Sequence, residues 1–166
     1  MNVFYFDEDP IVAAQAQPDK LLVKMPLESA QMLSACHRIL DGDGYADKHN
    51  LYKKTHENHP CSIWLRESTA NYQWLYRHFV ALSLEYTERY ERTHLSYSKL
   101  RHALQKMPTN LPFGEMTPVA QAMPEEYRNP NPTKAYRDYV VNEKHYAEWN
   151  KMPERRPDWW VEKLQF

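Results

Sequence analysis

The sequence predicts an all-α chain, a compact single-domain helical bundle with an extended N-terminal arm and a proline-rich irregular segment. Three observations carry that expectation. Apolar residues recur three or four apart through several long runs, the period of a helix face. Only 3 glycines occur in 166 residues, too few for the turns of a hairpin-rich or doubly wound fold. The 12 prolines fall between apolar runs, where they punctuate segments. At this length about two-thirds of the unfolded chain's surface can be buried, so neither metal nor disulfide is needed for stability. Residues 1–166 therefore read as one domain.

Composition narrows the setting. Cys36 and Cys61 are too few for a secreted disulfide framework, and MNVFYFDEDP lacks a basic stretch followed by an apolar one. A cytoplasmic, reducing location is the expectation. No apolar run approaches a membrane span, so no membrane partner is expected. The net charge of −1 conceals an uneven distribution: residues 48–106 hold ten Lys and Arg, five Glu, no Asp and six of the eight histidines. One positive face on a near-neutral molecule would attract a polyanion.

Taken in order, VFYF at residues 3–6 is β-prone but too short for a sheet, and is expected to be an arm on a helical body. Asp9 and Pro10 form a cap and first-turn pair for a short helix from Ile11 to Gln17. Pro18 and Asp19 restart the chain into a helical period that reaches Leu40, with Pro26 expected to bend it. The stretch DGDGYADKHNLYKKTHENHP follows as a polar, flexible excursion. Between His59 and Tyr90 a long aromatic period predicts one helix covering most of the run, with Trp74, Arg77, His78, Arg89 and Arg92 on its opposite side. A helix from Ser96 or Ser98 stops before Pro108. Residues 107–124 carry four prolines and read as an ordered crossing. The last helix opens at Pro132 or Thr133, its amphipathic pattern running to Trp149, and an aromatic tail, RRPDWWVEKLQF, is expected to fold back.

Few groups are spaced for chemistry. His49, His56, His59 and Cys61 are metal-type ligands within thirteen residues, but they match no closed zinc signature, and no metal is expected. DGDG lacks the remaining ligands of a calcium loop. No glycine-rich phosphate motif suggests a nucleotide, and no cofactor is expected. Cys61 has no nucleophile elbow around it. Lys20, Lys24 and Glu28, four apart on one helix face, are the densest alignment of titratable groups. A carboxylate can stabilise positive charge developing on a sugar, and a neighbouring amine can attack its C1′.

Two stretches resemble the small phage pyrimidine-dimer DNA glycosylases of the endonuclease V type. PDKLLVKMPLE, residues 18–28, is similar to an early helix in which an aspartate precedes the catalytic glutamate by nine positions, here Asp19 and Glu28; Leu21 stands where that family usually has histidine. MPEEYRNPNPTKAYRDYVVNEK and RRPDWW resemble the family's C-terminal part. The whole also resembles a family of small phage-encoded proteins. By resemblance the chain would bind double-stranded DNA, extrude a base opposite a damaged or modified pyrimidine, cut the glycosidic bond and cleave the backbone through an imine on its N-terminal amine. The family's threonine amine is followed by arginine. This chain begins Met1-Asn2-Val3, so the reacting amine would be that of Met1, or Lys20 or Lys24 in its place.

The expectation is a DNA glycosylase with AP-lyase activity. Glu28, Lys24 and Lys20 would be its catalytic groups. Lys53, Lys54, Arg66 and Arg77 would neutralise phosphates, and His59 would face the DNA. Trp74, with Trp64 or Tyr72, would stack on an extruded base, and Arg128 would hold the DNA edge. Two alternatives are a base-modifying transferase on the same scaffold and a nonenzymatic adaptor or inhibitor that binds a host protein.

Overall fold

A computed structural model describes residues 1–160 of the chain. Seven α-helices and two short 3-10 turns make up its regular structure, with no strand among the described residues, so the all-α expectation holds. The helices are α1 (Pro10–Gln15), α2 (Asp19–Asp41), α3 (Gly44–Lys48), α4 (Pro60–Leu65), α5 (Thr69–Tyr90), α6 (Leu95–Gln105) and α7 (Pro132–Glu143). The 3-10 turns are Glu125–Tyr127 and Pro153–Arg155. The long helices α2 and α5 pack against each other; α1 lies on α5, and α6 touches both.

Local chemistry explains most boundaries. Asp9 caps α1 by accepting hydrogen bonds from the Ile11 and Val12 amides, with Pro10 at the first helical position. The helix stops at Gln15, short of the expected Gln17. Helix α2 runs on through Pro26, which is buried, and closes at Gly42, whose φ of 78° suits a residue without a Cβ.

One helix, α5, covers most of the run from His59 to Tyr90, as expected, and the short α4 precedes it. Ser68 ends the continuity because its hydroxyl accepts from the Asn71 amide and opens α5 afresh. Both sides of α5 are then covered: Tyr72, Leu75, Phe79 and Leu82 are buried on one side, and Trp74, His78, Glu85 and Arg89 on the other. The excursion after Leu40 is also more ordered than its composition suggests. Arg38 donates to the Tyr52 and Leu51 carbonyls and to Asp43 and Asp47, which gathers α3 and its flanks onto α2. Helix α7 ends at Glu143, before Tyr146 and Trp149.

Arg89 joins three parts of the chain in the interior. Its guanidinium donates to Glu85 at 2.9 Å, Asp19 at 3.2 Å and the Gln15 and Gln17 carbonyls. Asp19 in turn accepts from the Lys151 amide, and Arg155 donates to Glu85. Two cations and two carboxylates balance, so the buried charges are mutually satisfied.

The arm is packed as expected, with Val3 to Phe6 buried. Trp159 meets Phe6 at 5.2 Å between ring centroids, and Trp160 meets Trp149, so the aromatic part of the tail folds back. Its remainder, residues 161–166, lies outside the described residues.

Removing Arg89 should expose the cost of this arrangement. Arg89→Met leaves Asp19 and Glu85 as buried carboxylates without their shared partner, and should lower the unfolding free energy in urea by about 3–5 kcal/mol. Acid should weaken the fold through a separate route. His78 donates from Nδ1 to the Pro10 carbonyl, and His37 shares a hydrogen bond with the Tyr72 hydroxyl; burial pushes both imidazoles down from 6.5 to about 4. The unfolded chain then binds more protons than the native one below about pH 6.5. Stability is full above that value and falls between pH 6.5 and 4, by up to about 3 kcal/mol per histidine. Urea titrations across this range should show a shallower fall for His78→Gln.

Candidate active site

A cavity of about 420 Å³ opens where the N-terminal arm crosses α2. Its helical wall follows from spacing: Leu21, Lys24, Met25 and Glu28 lie three or four apart, so they share one side of α2. The arm is held by Asn2, whose side-chain amide donates to the Ala122 carbonyl at 2.9 Å while its oxygen accepts from the Val3 and Phe4 amides. Phe4 turns the chain with a φ of 44°, and the Phe6 amide closes the turn onto the Phe4 carbonyl. The Met1 side chain is 2% exposed. These constraints deliver the Met1 amine to 3.3 Å from Glu28 Oε1.

His59 enters the same cavity from the start of α4, where its Nδ1 accepts from the Cys61 amide. Burial lowers its pKa, helped by the positive Met1 amine and His56 and opposed by Glu28. A neutral imidazole keeps the Nδ1 lone pair that the cap requires. Tyr139, Lys144 and Tyr146 form the opposite wall. The Lys144 ammonium lies 5.3 Å from the Tyr139 ring centre, and Lys20 lies 5.6 Å from that of Tyr146. The cavity thus presents the Met1 amine, one carboxylate, the Lys24 and Lys144 cations and the rings of Phe4, His59, Tyr139 and Tyr146.

Residues 1–98 match the family model described as pyrimidine dimer DNA glycosylase. The chain belongs to that family. No curated protein and no solved structure matches it. In this glycosylase-family chain the matched segment contributes Met1, Lys24, Glu28 and His59 to the cavity, while Tyr139, Lys144 and Tyr146 come from beyond it.

The structure sorts the residues expected to act. Glu28, Lys24 and His59 converge; Lys20 does not line the cavity and reaches it only through Tyr146. Lys53 and Lys54 are exposed on the segment before α4, with Lys54 paired to Glu57 at 3.2 Å. Arg66 is half-buried and donates to the Glu57 carbonyl, which bolts that segment to the end of α4. Arg77 borders two other grooves, and Arg128 lies on an exposed turn beside Pro60.

Trp74 is a correction. It is 7% exposed, donates its indole N–H to the Glu8 carbonyl, and packs against Tyr5 and His78, so only an edge reaches the groove beside Arg77 and it offers no face on which a base could stack. Trp64 on α4 and Tyr72 on α5 are buried as well, Trp64 donating its indole N–H to the Thr117 carbonyl and Tyr72 its hydroxyl to the Leu104 carbonyl.

The histidine cluster disperses. His49 packs on Tyr45, His56 bonds Thr55, His59 caps α4, and Cys61 is buried with its thiol pushed up to about 11. Among the described residues no group of three or more His, Cys, Asp or Glu side chains could hold a metal ion. No local signal marked Tyr139, Lys144 or Tyr146, because their relevance arises from contacts across more than a hundred residues.

The burial of Trp74 has a measurable consequence. Trp74→Phe should lower stability by about 1 kcal/mol through the lost hydrogen bond, while DNA affinity by fluorescence anisotropy should stay within about twofold, because the buried ring has no face on which to stack a base.

Proposed function

We propose that this chain is a DNA glycosylase that releases damaged or modified pyrimidines from duplex DNA and then cleaves the strand as an AP lyase. The observation that carries the reading is the Met1 amine held 3.3 Å from the Glu28 carboxylate in an open cavity of a chain belonging to the pyrimidine dimer glycosylase family. No element of this chemistry needs a cofactor.

The neutral amine attacks C1′ of the damaged nucleotide, and the glycosidic bond breaks with its electron pair leaving on the base, which takes a proton from solvent. The attacking nitrogen loses a proton and the ring C1′–O4′ bond opens, leaving an iminium at C1′ and a hydroxyl at C4′. Glu28 stabilises the positive charge and is placed to accept a proton from C2′. Elimination then breaks the C3′–O bond, and the phosphate departs with that electron pair. Water adds to the conjugated imine, which frees the amine and the sugar aldehyde. The amine held 3.3 Å from Glu28 Oε1 is that of Met1, and this geometry favours it over Lys24 and Lys20 as nucleophile.

Lys24, Lys20 and Lys144 supply cations around the opening, suited to the phosphates flanking the damaged nucleotide. Tyr139 and Tyr146 offer rings for stacking, worth about 1–3 kcal/mol per base in such contacts. His59 remains a neutral neighbour able to hydrogen-bond a sugar or phosphate oxygen.

Borohydride trapping tests the reading directly. Duplexes carrying a pyrimidine dimer or an abasic site should form a covalent adduct that maps to residue 1, and undamaged duplex should not. Glu28→Gln should reduce base release by roughly 10²-fold or more with the far-ultraviolet circular dichroism unchanged. Selective acetylation of the α-amine should abolish the adduct, and Lys24→Ala should retain it. Absence of both adduct and released base with every lesion would overturn the proposal; an adduct on Lys24 would overturn the assignment of the nucleophile.

A further inference from the structure

Phe113 is the most exposed large apolar side chain among the described residues, at 97%. It does not sit on a loose loop. The carbonyls on either side of it, Pro112 and Gly114, accept from the Thr69 and Ala70 amides, which are donors at the start of α5 that have no partner within the helix. The Thr69 hydroxyl is also within hydrogen-bond distance of the Gly114 carbonyl and amide. Three residues further on, the Thr117 amide donates to Asn71, whose side chain donates back to the Thr117 hydroxyl. These bonds fix the backbone on both sides of Phe113, and its ring stands in water.

A groove of about 470 Å³ borders the same loop. Ala70, Trp74, Met107 and Met116 supply apolar lining, and methionines adapt readily to an inserted ring. Arg77 stands at its edge, exposed and without an ion pair among the described residues. Glu115, two residues after Phe113, is exposed and likewise lacks an ion pair there. The protruding ring and the groove are thus neighbours on one face, one accompanied by a negative charge and the other by a positive one.

We propose that this face is a self-association surface, on which Phe113 of each of two copies inserts into the groove beside Arg77 of the other while Glu115 meets that arginine. An anchor and its receptor side by side are what a two-fold interface requires, because rotation by 180° makes both contacts at once. Glu115, two residues after the ring and exposed, disfavours DNA as the occupant. A pre-ordered aromatic group forfeits little freedom on insertion, which favours it as the central contact. The groove shares no lining residue with the Met1 and Glu28 cavity, so both copies keep that cavity open.

A patch centred on one ring is small beside the roughly 800 Å² per partner of a stable complex, and association in the micromolar range is expected. Sedimentation equilibrium of the full chain over a micromolar concentration series should show the mass rising from 19.9 kDa toward twice that value. Phe113→Ser, at a solvated position that folding does not use, should weaken association by about tenfold or more. Arg77→Glu should do the same, and adding Glu115→Arg to it should restore dimer. A wild-type chain that keeps its single-chain mass throughout the series, or Phe113→Ser and Arg77→Glu chains that associate like wild type, would overturn the proposal. The measurement is independent of whether the chain acts on DNA.

Discussion

The buried guanidinium of Arg89 is the constraint on which the arrangement rests. A charge in the interior is tolerable only when its hydrogen-bonding directions are filled, and here they are filled by residues far apart in sequence. Glu85 belongs to the same helix, the Gln15 and Gln17 carbonyls end α1, and Asp19 begins α2. The Lys151 amide and Arg155 bring the C-terminal segment to the same carboxylates. One side chain thereby sets where α2 starts relative to α5, and Glu28 is carried nine residues along that helix.

The cavity depends on a second constraint, the burial of the chain's first residues. Four consecutive side chains of the arm are in the core, and Asn2 ties them to Ala122. An amine at the end of a free segment would sample many positions, whereas here it has one, beside a carboxylate. Orientation of that kind is a large part of what a protein can add to an amine's own reactivity. Membership of the pyrimidine dimer glycosylase family favours base release over the transferase and adaptor alternatives, because the matched segment contains Met1 and Glu28.

The legibility of these features varied with their physical range. The 3.6-residue period found α2, α5 and α6, and cap chemistry found the starts of α1 and α7, since each depends on neighbours within a few positions. The same period could not reveal the break at Ser68, because a serine hydroxyl suits a helix face and a helix start alike until the chain on either side is placed. Periodicity also left Trp74 open between packing against a neighbouring helix and facing DNA. It identifies one apolar stripe, but whether the opposite side meets solvent depends on what covers it, here α1 and the arm. The order of residues 42–52 was equally hidden, since it comes from Arg38 on another helix.

By itself, then, the sequence determined a helical chain with a positive central region and a carboxylate at position 28 spaced from Asp19 as in a glycosylase family; these properties reside in local spacing, capping and composition. Tertiary structure alone decided that the Met1 amine meets that carboxylate, that His59 joins them while Trp74 does not, and that Tyr139, Lys144 and Tyr146 close the other wall. The reason is that convergence of distant groups is settled by which surfaces are buried against each other, and burial is a property of the whole packed chain rather than of any window within it.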